Sequence, residues 1–308
     1  KQKTAYEIVS RDWSSDVCSS DLGPIPVDNG SYFDLLPDNA GSVLRRQTVL
    51  TLEEMGIGVE HAQHEDAPGQ YEIDLRYTDA LTMADHVMTA RHVIKELARQ
   101  AGLVASFMPK PLSHEQGSGM HTHLSLWRGE ENAFVGDGHY GLSPLAQHFI
   151  AGLMRHAAEI TAVTNQWVNS YKRLVPGHEA PVHTSWSHAI PSSLVRVPTV
   201  KTGRRESTRV EYRAPDPAAN PYLAFAVILA AGLRGVEGAY ELPAEGDVVG
   251  SLPRSLAEAV DLMEQSELLH NTLGDHLVEW FLRNKREEWA RYRSEVTPFE
   301  WASYLPLL

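Results

Sequence analysis

The chain has 308 residues, and 40 acidic side chains against 27 basic ones leave a formal charge of −13. With 43% apolar and 22% charged residues it can bury a substantial core. The acidic balance, without any lysine or arginine run, argues against nucleic acid as a partner. The richest apolar stretch, Tyr222–Leu233, is shorter than the ~18 residues that a membrane-spanning helix requires, so no membrane partner is expected. A single cysteine, Cys18, excludes an internal disulfide and fits a reducing, cytoplasmic location.

Lys1–Leu22 is polar and serine-rich and lacks the apolar core of a secretory signal. Within it, Asp12–Leu22 (D-W-S-S-D-V-C-S-S-D-L) looks like the translation of a short-read sequencing adapter. The stretch is expected to be an assembly artefact, with a disordered natural tail as the rival reading. On the first reading, native sequence upstream of Gly23 is missing. Residues 23–308 are expected to form one α+β domain, without repeat, low-complexity tract or linker.

Gly41–Met55 has helical spacing and stops at Gly56 and Gly58. A turn forced by Pro68 and Gly69 follows, then a strand over Gln70–Leu75 with Tyr71, Ile73 and Leu75 on one face and Gln70, Glu72 and Asp74 on the other. Asp79–Ala101 predicts a helix with a stripe of Leu81, Ala84, Val87/Met88, Ile94, Leu97 and Ala98, stopped by Gly102. Strands are expected at Leu103–Met108 and Met120–Trp127. A helix over Ser143–Thr164 should be capped by Ser143, with Pro144 in its first turn. Further strands fall at Val182–Trp186, Leu194–Val197 and Thr208–Arg213, and Pro217–Leu233 reads as a buried helix. One or two charged amphipathic helices occupy Leu252–Arg293.

Four stretches carry chemistry. In Glu60–Asp74, Glu65 enters the bend and Glu72 lies on the polar face of the strand. Such a pair could share one hard cation, because Mg²⁺ and Mn²⁺ prefer carboxylate oxygens; the plainer reading is a solvated acidic hairpin. In Gly117–Ser125, a period of two puts His121, His123 and Ser125 on one face behind two glycines that let backbone approach a ligand. Surface histidines are the alternative. Asn169–Pro181 reads as a loop stiffened by Pro176, Gly177 and Pro181 and carrying Lys172, Arg173 and Glu179, either a lid or a simple solvated connection. In Thr208–Arg213, Arg209, Glu211 and Arg213 share a strand face. A carboxylate between guanidinium groups suits a cation beside phosphate, or else a surface ion-pair ladder.

Taken in order, H-E-D-A-P-G-Q-Y-E, K-P-L followed by G-S-G-M-H-T-H, N-S-Y-K-R-L-V-P-G-H-E-A-P, R-V-E-Y-R and P-D-P-A-A-N-P-Y-L-A-F-A resemble the catalytic domain of type I glutamine synthetase, from about Tyr32 to the C-terminus. The resemblance implies a curved, mainly antiparallel sheet flanked by helices, in subunits assembled as dodecameric rings. It implies a nitrogen-metabolism ligase that uses ATP, with Mg²⁺ or Mn²⁺ at two sites, to join ammonia to the γ-carboxylate of L-glutamate through γ-glutamyl phosphate. By the same resemblance, Glu65 and Glu72 match ligands of one cation and His121 and Glu211 ligands of the other, each cation taking a further glutamate from an upstream strand. Gly117, Arg173 and Arg213 match glutamate-binding positions, and Arg173 and Glu179 catalytic ones. His123, Ser125, Arg196 and Arg209 match nucleotide contacts. Glu179 matches the lid carboxylate that helps deprotonate ammonium.

The sequence departs from the family pattern in three places. Gln116 stands where Asn is usual, Ile190-Pro191-Ser192 replaces an Asn-Arg-Ser run, and the segment between Gly238 and Tyr240, near the family's regulatory tyrosine, is shortened. These departures keep two alternatives in view: a γ-glutamyl-amine ligase acting on a polyamine or ethanolamine, and a non-catalytic relative. Without the upstream glutamates the chain by itself is expected to be inactive.

Overall fold

The computed structural model describes residues 24–34, 39–201 and 203–308, together with the backbone of Gln2–Ser10. The strands in chain order are β1 Gln2–Ser10, β2 Ile25–Pro26, β3 Val59–His64, β4 Gln70–Leu75, β5 Leu103–Ser106 and β6 Met120–Leu124. They continue with β7 Trp127–Arg128, β8 Glu131–Asn132, β9 His183–Thr184, β10 Trp186–Ser187, β11 Val195–Arg196, β12 Val210–Tyr212 and β13 Gly250–Ser251. The helices are α1 Ala40–Glu54, α2 Ala80–Gln100, α3 Pro144–Thr164, α4 Ser170–Arg173, α5 Pro221–Glu237, α6 Leu256–Glu264, α7 Glu267–Leu273, α8 Asp275–Ser294 and α9 Pro298–Tyr304.

A nine-stranded sheet forms the frame, in the order β10-β11-β12-β6-β1-β4-β3, with β2 and β5 also paired to β1. Only the β10–β11 pair is parallel, so the sheet is mainly antiparallel and the fold is α+β. The helix boundaries follow local chemistry. Asn39, Asp79, Ser143 and Asn220 each accept a hydrogen bond from a first-turn amide of α1, α2, α3 and α5. Gly102, at φ +72°, follows the last turn of α2. Asn220 sets the start of α5 at Pro221, later than the expected Pro217, and residues 214–219 are a buried loop instead.

Two apolar cores flank the sheet. One gathers α1 and α2 against β3–β6, with Leu44, Leu52, Tyr71, Val87 and Ile94 at its centre. The other gathers α3, α5, α6 and α8 against β10–β12, around Phe134, Phe149, Ile160, Ile228 and Val260. Helix α5 belongs to both, with Ala224 and Phe225 in the first and Val227, Ile228 and Ala231 in the second. In α2 the buried stripe is Met83, Ala84, Val87, Ala90, Ile94 and Ala98, whereas Leu81 and Met88 of the expected stripe are exposed. The expected C-terminal helical run is divided into α6, α7 and α8, because Ser266 caps α7 and Gly274, at φ +79°, precedes α8.

Helices α3 and α5 cross so closely that glycine is required. A Cβ on Gly235 would lie 2.2 Å from the His148 carbonyl oxygen and 2.6 Å from Gly152 Cα. Alanine is the better helix former by ~1 kcal/mol, but backbone atoms cannot yield as a flexible side chain would, and overpacking costs ~1–3 kcal/mol or more. The clash should win. Gly235→Ala is expected to lower the thermal midpoint by roughly 3–8 °C in a denaturation scan; an unchanged or higher midpoint would contradict this crossing.

Candidate functional site

The hairpin that carries Glu65 and Glu72 is clamped by Asp28. One Asp28 oxygen accepts from Gly30 N at 3.0 Å, Gly69 N at 2.9 Å and His64 Nε2 at 2.9 Å, and the other accepts from Tyr71 Oη at 2.5 Å. His64 Nδ1 donates to the Glu65 carbonyl at 2.6 Å, so both ring nitrogens face acceptors and the ring is an imidazolium. Burial works to raise the Asp28 pKa, but the hydrogen bonds from His64, Tyr71, Gly69 and Gly30 hold it well below the usual carboxylate range. Burial likewise opposes charge on His64, and the bonds to Asp28 and to Glu65 raise its pKa. Gly69, at φ +67°, makes the turn, and Glu65 N donates to the Gln70 carbonyl at 2.8 Å. The polar face of β4 is not a solvated hairpin: Gln70, Glu72 and Asp74 are 1%, 4% and 1% exposed.

A second centre lies on β6, β12 and β11. Glu211 is fully buried. Its Oε1 meets Arg213 Nη1 at 2.8 Å and His121 Nδ1 at 3.3 Å, and its Oε2 meets Arg196 Nε at 2.5 Å. Burial raises the Glu211 pKa, but the hydrogen bond from His121 and the guanidinium charge of Arg213 hold it well down. Burial and then Arg213 push His121 down to about 3, against Glu211, so its ring is neutral and offers a lone pair. Arg209 Nε donates to His123 Nδ1 at 3.2 Å across the β6–β12 pair, and Ser125 Oγ accepts from Trp127 Nε1 at 2.9 Å. The expected strand face therefore holds, and its ion pairs are buried rather than a surface ladder.

Arg173 corrects an expectation. It sits in α4, not in the loop, and the residue is 3% exposed. Nη1 donates to the Ala214 carbonyl at 2.6 Å and the Pro215 carbonyl at 3.4 Å, and Nη2 to the Arg213 carbonyl at 3.2 Å. Burial lowers its pKa to about 10. The glycines before β6 make room for this side chain. A Cβ on Gly117 would lie 2.9 Å from Arg173 Cγ, and one on Gly119 would lie 2.6 Å from Arg173 Nη2. The loop proper is 174–181, with Gly177 at φ +91°.

Glu65, Glu72, Gly117, His121, Arg173 and Glu179 line one cleft of about 470 Å³ that opens to solvent. Glu211 and Arg213 join it through His121, while His123, Ser125, Arg196 and Arg209 lie beside it along β6, β12 and β11. Sequence reasoning missed Tyr32, which lines the cleft and donates to Glu179 Oε2 at 3.2 Å. Burial, Glu65 and Glu179 together raise its pKa, so it stays a neutral donor. It also missed Asp28, whose only sequence signal was an Asp-Asn-Gly turn. The donor sets, two carboxylates in one pair and an imidazole with a carboxylate in the other, suit a hard divalent cation. Among the described residues no group of three His, Cys, Asp or Glu side chains comes together that could hold a metal ion.

The fold and site define an α+β protein that gathers Glu65, Glu72 and Glu179 with Arg173 in one cleft and bonds Arg196 and Arg213 to Glu211 behind His121. The glutamine synthetase catalytic-domain model matches residues 2–304. A glutamine synthetase of Mycolicibacterium smegmatis is 54% identical over 92% of this chain and 67% of its own length, and one of Staphylococcus epidermidis is 46% identical over 90% and 65%. The Plasmodium falciparum glutamine synthetase solved by cryo-EM superposes with a TM-score of 0.88 at 24% identity, over 98% of this chain and 74% of that one. An apo structure of GmaS gives 0.80 at 35% identity, over 99% and 72%. The chain belongs to the glutamine synthetase family, which is a family of glutamate–ammonia ligases, and it spans about two thirds of the length of these curated relatives.

The Asp28 clamp generates a pH-dependent prediction. Asp28 has a depressed folded pKa, so its contribution is present above its ordinary value of 3.8 and is lost as pH falls. His64 has a raised folded pKa, so its contribution is present below its ordinary value of 6.5 and is lost as pH rises through the folded value. Asp28→Asn should therefore cost ~1–3 kcal/mol near pH 5–6, with a smaller effect below pH 4, in chemical denaturation. A cost independent of pH would show that the charged pair is not what holds the turn.

Proposed function

We propose that the protein to which this chain belongs is an ATP-dependent ligase that joins ammonia to the γ-carboxylate of L-glutamate through γ-glutamyl phosphate, giving glutamine. The observation that carries this reading is the convergence of Glu65, Glu72, His121, Arg173 and Glu179 on one cleft, with Glu211 and Arg213 bonded to its wall. A non-catalytic relative has no need of them together.

On this reading Glu65 and Glu72 hold one Mg²⁺ or Mn²⁺, and His121 and Glu211 the other. When bound, the cations neutralise charge on the phosphates. Glutamate lies against Gly117, Arg173 and Arg213; Arg173 is held rigid by three backbone carbonyls, so it orients substrate without loss of freedom. Arg196 and Arg209, with His123 and Ser125, face the nucleotide. Phosphoryl transfer needs in-line positioning and stabilisation of spreading negative charge, which guanidinium groups fixed in advance supply. Glu179 closes over the cleft, excludes water from the acyl phosphate and takes a proton from ammonium. Glu65 and Glu179 put two carboxylates in the lining of the cleft, which suits a cation such as ammonium. Gln116 on the same wall is the observation that favours a larger primary amine, such as a polyamine or ethanolamine, as the second reading.

The sequence places Lys1–Leu22 outside the domain, yet Gln2–Ser10 is strand β1, between β4 and β6 in the sheet, and the family model begins at residue 2, so the artefact reading is kept for residues 11–22 alone. The curated relatives are longer than this chain, and on this reading each cation takes its third carboxylate from a part of the parent protein that this chain lacks, so this chain alone is inactive. The parent assembles as rings of identical subunits and works in the cytoplasm.

The full-length parent, given glutamate, ATP and Mg²⁺, should release ADP when ammonium is added and much less with putrescine, spermidine or ethanolamine at matched concentration. ADP release with a polyamine and none with ammonium would replace the acceptor while leaving the acyl-phosphate chemistry intact. In the same assay Glu179→Ala should keep ATP binding but release at least tenfold more phosphate per γ-glutamyl product. Unchanged coupling would remove Glu179 from the lid.

A further inference from the structure

The loop 174–181 covers the cleft, yet little of its own backbone holds it there. Among the described residues no backbone-to-backbone hydrogen bond involves residues 176–181. Pro176, Gly177 and Glu179 are exposed, and Gly177 at φ +91° has open space around it. The loop is tethered instead by side chains of residues 110–116. The Glu179 amide donates to Gln116 Oε1 at 3.1 Å. The buried Lys110 Nζ donates to the Glu115 carbonyl and lies 3.5 Å from His178 Nε2. Lys110 is itself fixed to the start of α4: its amide donates to Asn169 Oδ1 at 2.8 Å, and Asn169 Nδ2 donates back to the Lys110 carbonyl at 3.0 Å.

We propose that Gln116 is the positioning residue that seats this loop, its side-chain carbonyl reaching the Glu179 amide so that the Glu179 carboxylate is delivered over the cleft, where Tyr32 receives it. Side-chain length is the discriminating feature. Asparagine, one methylene shorter, draws the carbonyl back beyond hydrogen-bond reach of the amide, and the loop loses its backbone tether. The departure at Gln116 is then a device of loop closure, its acceptor oxygen occupied by the loop. The tether stands on geometry alone, whereas its effect on turnover rests on the ligase reading.

Amide hydrogen exchange of this chain tests the tether without any substrate. Loss of one such bond should speed exchange at Glu179 about fivefold in Gln116→Ala and in Gln116→Asn. Amides of β12, remote from the loop, serve as the control for folding and should not change. Gln116→Glu keeps an acceptor at the same reach and should stay within about twofold of the parent chain. Unchanged exchange in the alanine and asparagine variants overturns the proposal, as does fast exchange in the glutamate variant. In the full-length parent, Gln116→Asn should raise phosphate release relative to γ-glutamyl product with the KM for ATP unchanged. If exchange responds as expected but the parent shows no glutamate-dependent turnover, the tether stands and the ligase reading falls.

Discussion

The structure depends on one buried carboxylate. Glu211 carries a full charge with no exposure to solvent, a state that is costly unless both oxygens are well paired. Arg213 on its own strand, Arg196 on the next and His121 on the strand to the other side supply the pairing. These partners come from three strands, so the charge can be satisfied only in one register. Removal of one partner would leave an uncompensated buried charge and cost several kcal/mol, whereas slippage by one residue would turn all of them to the opposite face. The register that satisfies Glu211 is also the one that sets His121 at the cleft.

Arg173 extends the same logic to the loops. Its guanidinium bonds the carbonyls of Arg213, Ala214 and Pro215, which continue from the strand that carries Glu211. It reaches them past Gly117 and Gly119, where any Cβ would collide with it. The glycines, the buried arginine and the strand end thus form one unit: the glycines give up local stability so that a side chain can brace a loop whose backbone groups would otherwise be buried without partners.

Much of this was legible in the sequence because the signals were periodic or punctuating. Alternation placed Glu72, His121, His123, Glu211 and Arg213 on the correct faces, glycine stops closed α1 and α2, and Ser143 set the start of α3. Burial was not legible. The polar face of β4 reads as solvated from its residue types, and only the strand and helices packed over it make it interior. The lid was overextended to Asn169 because proline and glycine mark where a chain turns, not where a preceding helical turn such as α4 ends. Asp28 and Tyr32 were invisible for another reason. Each acts through partners tens of residues away or more: Tyr71 for Asp28 and Glu179 for Tyr32. No local pattern encodes a long-range partner.

The site that results is segregated by charge. On one side lie Glu65, Glu72 and Glu179, with Tyr32 as a neutral donor among them. On the other, Glu211 is outnumbered by Arg196 and Arg213, and Arg209 stands beside His123. Carboxylates that line the cleft and guanidinium groups gathered around Glu211 offer separate places to cations and to anions. In a chain whose formal charge is −13, this gathering of guanidinium groups runs against the overall balance and is held by hydrogen bonds to buried Glu211 rather than by composition. Fixing charges in this way is costly in a folded domain, and the cost is offset only where each buried charge has its partner.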